Sequence, residues 1–304
     1  MKLRLIAVVT AAAVLMSGRP WAQSPPLHLN PVIAKLAQGQ PFVGVSTGDL
    51  SLENARTLAR APIDYVYVYV DMEHTPLNFD ALHMFHLGMT DRGTIVRKGN
   101  LQPDVALFAR FPPEADQAGW VVKQALDIGL MGVIFNGVES RAHAVAAVQS
   151  MRYPQMRDSK YREPVGRRGA APALASWIWG LTVDDYEAHA DLWPLNPAGD
   201  LLAIVMVESV EGMTHLDEIL SVPGIGAVFI GNANDLRHSL GVPATSPEVE
   251  AARQTILRAC LAHHVACGIT ANSPADMVKR LSEGWKMIRA TVETIRAARA
   301  QGGR

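Results

Sequence analysis

The chain has 304 residues, 49% of them hydrophobic and 19% charged, enough for one large domain or two ordinary ones with a real core. Lysine and arginine number 28 against 29 aspartate and glutamate. A balance that close offers no basic field to nucleic acid or to an anionic membrane surface, so both are excluded as partners.

The first residues stand apart. A short basic start, MKLR, leads into an apolar run over 5–16 and then into small and polar residues over 17–24. That is the layout of a secretory signal peptide, residues 1–22, and the run is too short to span a bilayer comfortably. It predicts an exported protein, periplasmic or secreted, with an N-terminal extension over 23–40 and no membrane anchor in the mature form.

From residue 41 onward, short β-rich runs alternate with amphipathic segments. The runs fall at 42–47, 65–73, 105–111, 132–139, 201–209, 226–235, 266–271 and 285–291, and each precedes a helical pattern. They are rich in Val, Ile and Phe with little clean alternation, as parallel strands covered on both faces should be. Such a succession predicts a single-domain α/β fold, a (β/α)8 TIM barrel over 41–304. An open doubly wound sheet is the alternative, but no GxGxxG or phosphate loop follows the first strand. Residues 154–200 break the rhythm with Pro154, Pro164, Pro172, Pro194 and Pro197, a Gly-Arg-Arg-Gly run at 166–169, and three tryptophans. So long an insertion is expected to pack at a subunit interface or near the active-site mouth, its arginines meeting an anion or solvent.

In a barrel of this kind the strand C-termini converge on one face, and polar residues just beyond them read as chemistry. Asp71, Glu73 and His74 follow the second run, Arg110 ends the third, and Asn136 and Glu139 follow the fourth. Glu208 ends the fifth, Asn232, Asn234 and Asp235 the sixth, and Asn272 follows the seventh. Glu208 and Asp235, on neighbouring strands, would repel one another in a closed mouth. A divalent cation relieves that repulsion, and hard oxygen ligands suit Mg2+ or Mn2+. Arg110 could grip a substrate carboxylate with two parallel bonds, or simply pair with Glu208 or Asp235. His74 is the proton carrier suited to neutral pH. The set reads as a site for a small keto acid chelated by a metal, with an acid/base beside it.

Two other features read as structural. His83 and His86 share a helix face, but their surroundings are apolar, which favours packing over metal binding. Cys260 and Cys267 are compatible with a disulfide or with two buried thiols.

At the residues named above, the chain resembles the class II, metal-dependent pyruvate-type aldolases, the family of hydroxy-keto-heptanedioate aldolase and 2-keto-3-deoxy-sugar-acid aldolases. The resemblance is carried by VDMEHTP, FARFP, VVKQALDIGLMGVI, SRAHAVAAVQSMRYP, VMVES and VFIGNANDLRHSLG, in that order, over about residues 40–300. It implies a (β/α)8 barrel in a homo-oligomer, a hexamer or else a dimer or trimer. It implies a divalent metal (Mg2+, Mn2+ or Co2+) on Glu208 and Asp235, and a substrate arginine at Arg110. His74 is the implied acid/base, oriented by Asp127, with Asp71 and Glu73 in a water network. Gly231, Asn234 and Met206 fall at substrate-binding positions. The implied reaction forms or cleaves a carbon–carbon bond of a 4-hydroxy-2-keto acid through a pyruvate enolate, with an aldehyde as the other partner. No lysine stands at a strand end, which fits the metal-dependent rather than the imine-forming route.

The chain departs from the family pattern in the pocket: Met206 replaces a glutamine, GNAND a shorter turn, and Met72 a glycine expected at the mouth. Those departures keep two alternatives open, an exported small-acid-binding barrel without aldolase chemistry and a related acyl-CoA lyase.

Overall fold

The computed structural model describes residues 28–60, 64–111 and 119–302. The segment read as an export signal, 1–22, lies outside the described residues. Parallel strands close into a barrel in sequence order: β1 (Phe42–Thr47), β2 (Tyr67–Asp71), β3 (Ala106–Arg110), β4 (Gly132–Phe135), β5 (Leu202–Met206), β6 (Ile225–Phe229), β7 (Ala266–Thr270) and β8 (Met287–Arg289). The last strand pairs with the first, from Phe42↔Met287 to Gly44↔Arg289. This is the (β/α)8 barrel that the alternation of runs predicts. Several runs overshoot: β2, β4, β5 and β6 stop at Asp71, Phe135, Met206 and Phe229. The polar residues after them leave the ladder because they line the open end.

The barrel interior is filled, and glycines make room for the filling. A Cβ on Gly44 would lie 2.2 Å from the Tyr67 ring, one on Gly132 2.6 Å from the Phe108 ring, and one on Gly268 2.9 Å from Met287. Tyr67 and Phe108 stack at 5.7 Å, Phe42 meets Tyr67 edge-on at 5.5 Å, and the Tyr67 hydroxyl donates to the Ile288 carbonyl at 3.1 Å. Side chains repeat every second residue along a strand. Ser46, Tyr69, Arg110, Thr270 and Arg289 therefore stand inward as well, one layer nearer the strand C-termini. The apolar layer is their floor.

Helices return the chain between strands, and many start near the C-terminal end with a side-chain cap. Ser51, Asn78, Ser140, Ser209, Ser273 and Thr291 each accept a backbone N–H of the first turn. At the opposite end, the helix Pro31–Leu36 is anchored by Asn30, whose amide donates to the carbonyls of Met131 and Asp200, both at 3.1 Å.

The insertion carries the helices Ala173–Trp179 and Val183–His189. It packs on the end of the helix Gly119–Asp127, where Trp179 donates to the Gly129 carbonyl at 2.7 Å. None of its described residues lines the mouth cavity of its own chain, so of the two places expected for it the subunit interface is the one left open. Arg168 of the Gly-Arg-Arg-Gly run turns inward, 2% exposed, and donates to Asp127 at 3.1 Å and to the Tyr186 hydroxyl at 2.9 Å. The anion it meets belongs to its own chain. Arg152 is the other fastener: fully buried, it grips Asp191 through two bonds of 2.6 and 3.0 Å and donates to the Pro164 carbonyl at 2.7 Å. Removing one partner of such a pair strands the other charge. Arg152→Ala is therefore expected to cost about 3–5 kcal/mol, read from urea unfolding, with Asp191→Asn milder because its amide still accepts.

Candidate active site

Asp71 and Arg110 are register neighbours on β2 and β3, so their side chains emerge together. The Arg110 guanidinium is only 11% exposed. Its Nη2 and Nε both face the Asp71 carboxylate, the latter at 3.3 Å, and Nη1 reaches Glu73 at 2.9 Å. Asp71 Oδ1 also accepts the backbone N–H groups of Glu73 (3.2 Å) and His74 (3.3 Å), which fixes the turn that follows the strand. Burial would raise the Asp71 pKa, but the bond and charge of Arg110 outweigh it and hold the carboxyl below its ordinary value. Glu73 goes the other way: burial raises it, and Arg110, shared with Asp71, does not compensate fully. The His74 ring is 66% exposed, with Nε2 3.4 Å from Glu73.

This pairing corrects one expectation: Arg110 bonds neither Glu208 nor Asp235 but Asp71 and Glu73. Asp71, Glu73 and His74 lie close enough to share a cation, their ligand atoms within 4.8 Å of one another. Arg110 already brings positive charge to two of the three, so a metal fits better elsewhere.

It fits at Glu208. This residue stands two positions past the end of β5, half-buried, with Oε1 about where it would come within 3.5 Å of a Cβ on Gly231. Burial, then the charge of Asp235, then that of Glu73 push its pKa up to about 8; Arg110 pulls back less. Among the described residues no N–H or O–H donates to the carboxylates of Glu208 or Asp235. Two carboxylates without a donor, each raising the cost of charging the other, offer hard oxygen ligands that suit Mg2+ or Mn2+.

The turn after β6 brings in Asp235, the second carboxylate of the pair. Gly231 (φ +49°) and Ala233 (φ +58°) both take left-handed backbone, and the helix Asn234–Leu240 starts immediately after them. Glycine suits position 231 because L side chains rarely adopt its left-handed φ; the tip of Met206 and Glu208 lie at ordinary contact distance around it. Asn234 and Asp235 lie exposed in the first helical turn, and with Gly231 they line a cavity of about 270 Å³ that also holds Asp71, His74, Arg110 and Glu208. Met206 is fully buried and packs against Gly231 from below without lining the cavity, so it is floor rather than a substrate contact.

Other sequence expectations separate cleanly. Asp127 is not beside His74 within the chain: its carboxylate accepts from Lys123 at 2.6 Å and from Arg168 at 3.1 Å, at the far end of its helix. The residue that neighbours His74 is Glu73. Met72, expected at the mouth, is fully buried in the core, and its N–H donates to the Arg110 carbonyl at 2.9 Å. Asn136 is buried and donates to the Phe111 carbonyl at 2.7 Å, a structural bond. His86 packs as expected, bonded to the Ile128 carbonyl at 2.8 Å, and burial pushes its pKa down to about 4. Cys260 and Cys267 are two buried free thiols. Sequence reasoning missed Tyr69, Thr270 and Arg289, which also line the cavity. The period of two was the available signal, since each lies two residues past an inward-facing side chain or glycine.

Carbon–carbon lyases that stabilise an enolate beside a divalent ion need a hard-ligand acidic pair, a proton carrier and a cation within one barrel mouth, and this mouth gathers them. Comparison with known proteins gives the particular family. The model of the HpcH/HpaI aldolase/citrate lyase family matches residues 51–300, and the chain belongs to that family. It is 31% identical to the hydroxypyruvate/pyruvate aldolase of Delftia acidovorans over 273 residues, 88% of each chain. It is 30% identical to the 2-keto-3-deoxy-L-rhamnonate aldolase of Escherichia coli over 274 residues, 88% of this chain and 89% of that one. The solved structure of an HpcH/HpaI aldolase/citrate lyase family protein from Burkholderia cenocepacia matches with a TM-score of 0.70 at 26% identity, covering 90% of this chain and 96% of that one.

The electrostatics of Glu208 have a measurable consequence. Its folded pKa, about 8, lies above the ordinary carboxylate value, so between the two the folded chain holds a proton that the unfolded chain has released. Metal-free protein is therefore expected to lose stability as pH rises from about 5 to 8. Melting in EDTA across that window should show the slope, and Glu208→Gln should flatten it. Mg2+ or Mn2+ should raise the melting temperature more at pH 8 than at pH 6, because protons compete for the same oxygens.

Proposed function

We propose that this chain is a divalent-metal aldolase that forms or cleaves a 4-hydroxy-2-keto acid through the enolate of pyruvate or a close analogue. The observation that carries the reading is the donor-less Glu208–Asp235 pair sharing one small cavity with the Arg110-bound turn that bears His74. Glu208 and Asp235 would hold a divalent ion, Mg2+, Mn2+ or Co2+, which supplies Lewis-acid polarisation of the keto oxygen.

The chain's own groups do the rest. In cleavage, His74 Nε2 accepts the C4 hydroxyl proton, directly or through water. The C3–C4 bond then breaks to release the aldehyde, and its electrons pass into the enolate, whose C3 is protonated to give the keto acid. Glu73, 3.4 Å from that nitrogen, orients the ring. A guanidinium has five N–H donors; three are engaged by Asp71 and Glu73, leaving two for a substrate carboxylate. The cavity holds no lysine, so no imine is built from its lining. At about 270 Å³ it sits at the small end of ligand sites, which suits short polar acids and aldehydes.

The reading extends to a homo-oligomer, a hexamer or a smaller ring or pair, supported by the exposed indoles of Trp120 and Trp177. It also extends to export, supported by the layout of residues 1–22. No described helix is long and apolar enough to cross a membrane.

Proton exchange tests the reading without knowledge of the aldehyde. Purified protein with pyruvate in D2O and Mg2+ or Mn2+ should exchange the methyl protons, followed by NMR. Exchange should vanish in EDTA and in Glu208→Ala, and fall by about 10²–10⁴ in His74→Ala. Absence of exchange with every divalent metal would leave a small-acid-binding barrel instead.

A further inference from the structure

The mouth holds two arginines, and their surroundings differ. Arg110 on β3 is neutralised by two carboxylates. Arg289, the last residue of β8, is half-buried, and its described bonds run only to a neutral group: Nε and Nη2 reach Ser46 Oγ at 3.0 and 2.7 Å. Among the described residues no carboxylate lies within ion-pair distance of it. Half-buried guanidinium groups lose hydration that a lone hydroxyl does not replace, and their planar fork matches two oxygens of a carboxylate or a phosphate.

The neighbours of Arg289 are arranged to help. Thr270 is its register partner on β7 and lines the same cavity, 5% exposed. No described hydrogen bond uses the Thr270 hydroxyl. Ser46 stands on β1, two residues beyond Gly44, the β1 partner of Arg289. The three side chains thus come from adjacent strands β7, β8 and β1, at one side of the cavity. Around the ring, the Glu208–Asp235 pair of β5 and β6 lies midway between β3 and β8. A keto acid placed at that pair uses its single carboxylate there and at the remaining donors of Arg110. A second cation across the mouth then calls for a second anion.

We propose that Arg289, with Ser46 and Thr270, is an anion subsite that selects an acidic acceptor, an aldehyde bearing a carboxylate or a phosphate. This deepens the aldolase reading and rests on it. Arg289 sets specificity by contact with the acceptor's charged end, away from the carbon–carbon bond.

The test has a catalytic arm and a binding arm. With pyruvate and Mn2+, kcat/KM is measured for glyoxylate, for the neutral glycolaldehyde of similar size, and for glycolaldehyde phosphate. Arg289→Gln should lower the value for the anionic aldehydes by about ten- to a hundredfold, mostly through KM, and spare glycolaldehyde. Arg289→Lys, which keeps the charge and loses the fork, should fall between. Comparing glyoxylate with the phosphate tells which anion the subsite prefers. Equal loss for neutral and anionic aldehydes overturns the proposal. So does a raised pyruvate KM in the D2O exchange assay, which contains no aldehyde and would place Arg289 on the keto acid. In the binding arm, metal-free protein is titrated by calorimetry with acetate and with inorganic phosphate. Saturable binding of either that is lost in Arg289→Gln and kept in Glu208→Gln supports the subsite even if no aldolase turnover is found. Binding of neither, or binding indifferent to Arg289, sinks it.

Discussion

Everything at the mouth depends on how the inside of the barrel is filled. Closed parallel strands present every second side chain inward, and the space holds only so many rings. Here Tyr67 and Phe108 stack across the middle, Gly44 and Gly132 yield the volume they take, and Gly268 makes room for Met287. That apolar plug fixes strand register, and register fixes which residues of the next layer face the cavity. Asp71, Arg110, Thr270 and Arg289 owe their shared position to it. The same plug keeps water below the cavity out, which strengthens each charge interaction above it.

Above the plug, charge is distributed unevenly, and the unevenness makes the chemistry. Asp71 and Glu73 compete for Arg110; Asp71 wins, falling below its ordinary pKa while Glu73 rises above its own. Glu208 and Asp235 have no such cation and are left mutually repulsive. Arg289 has the reverse imbalance, a cation with a hydroxyl where a carboxylate would be usual. One acidic pair asks for a metal, one arginine asks for an anion, and the Arg110-bound cluster carries the turn with His74. The Met206 and Met72 departures fall outside this pattern, since both side chains are buried in the floor and core. They alter packing beneath the site more than the groups that meet a substrate.

Much of the site was legible along the chain because strand ends in a barrel share one destination. Glu208, Asp235, Arg110 and His74 could each be placed by counting to the end of an apolar run. Asp127 could not: a helix returns to the opposite end of the barrel, so its last residue is far from the strand C-termini even though its motif points to a histidine. The partners of Arg110 were equally hidden, because several acidic residues follow strand ends and only the β2–β3 register set Asp71, with Glu73 just beyond it, against the guanidinium. Arg289 went unseen for a different reason. The β8 run is short, and a single arginine after Met287 carries no motif.

The sequence by itself determined the barrel, through the succession of apolar runs and helical segments, and it determined the chemical types collected at one face. Those follow from local periodicity and from the rule that parallel strands end together. Only the tertiary structure decided which charges neutralise one another and which are left over. Pairing depends on distances between strands remote in sequence, and on how much water each carboxylate and guanidinium loses, and neither quantity is written in the order of residues.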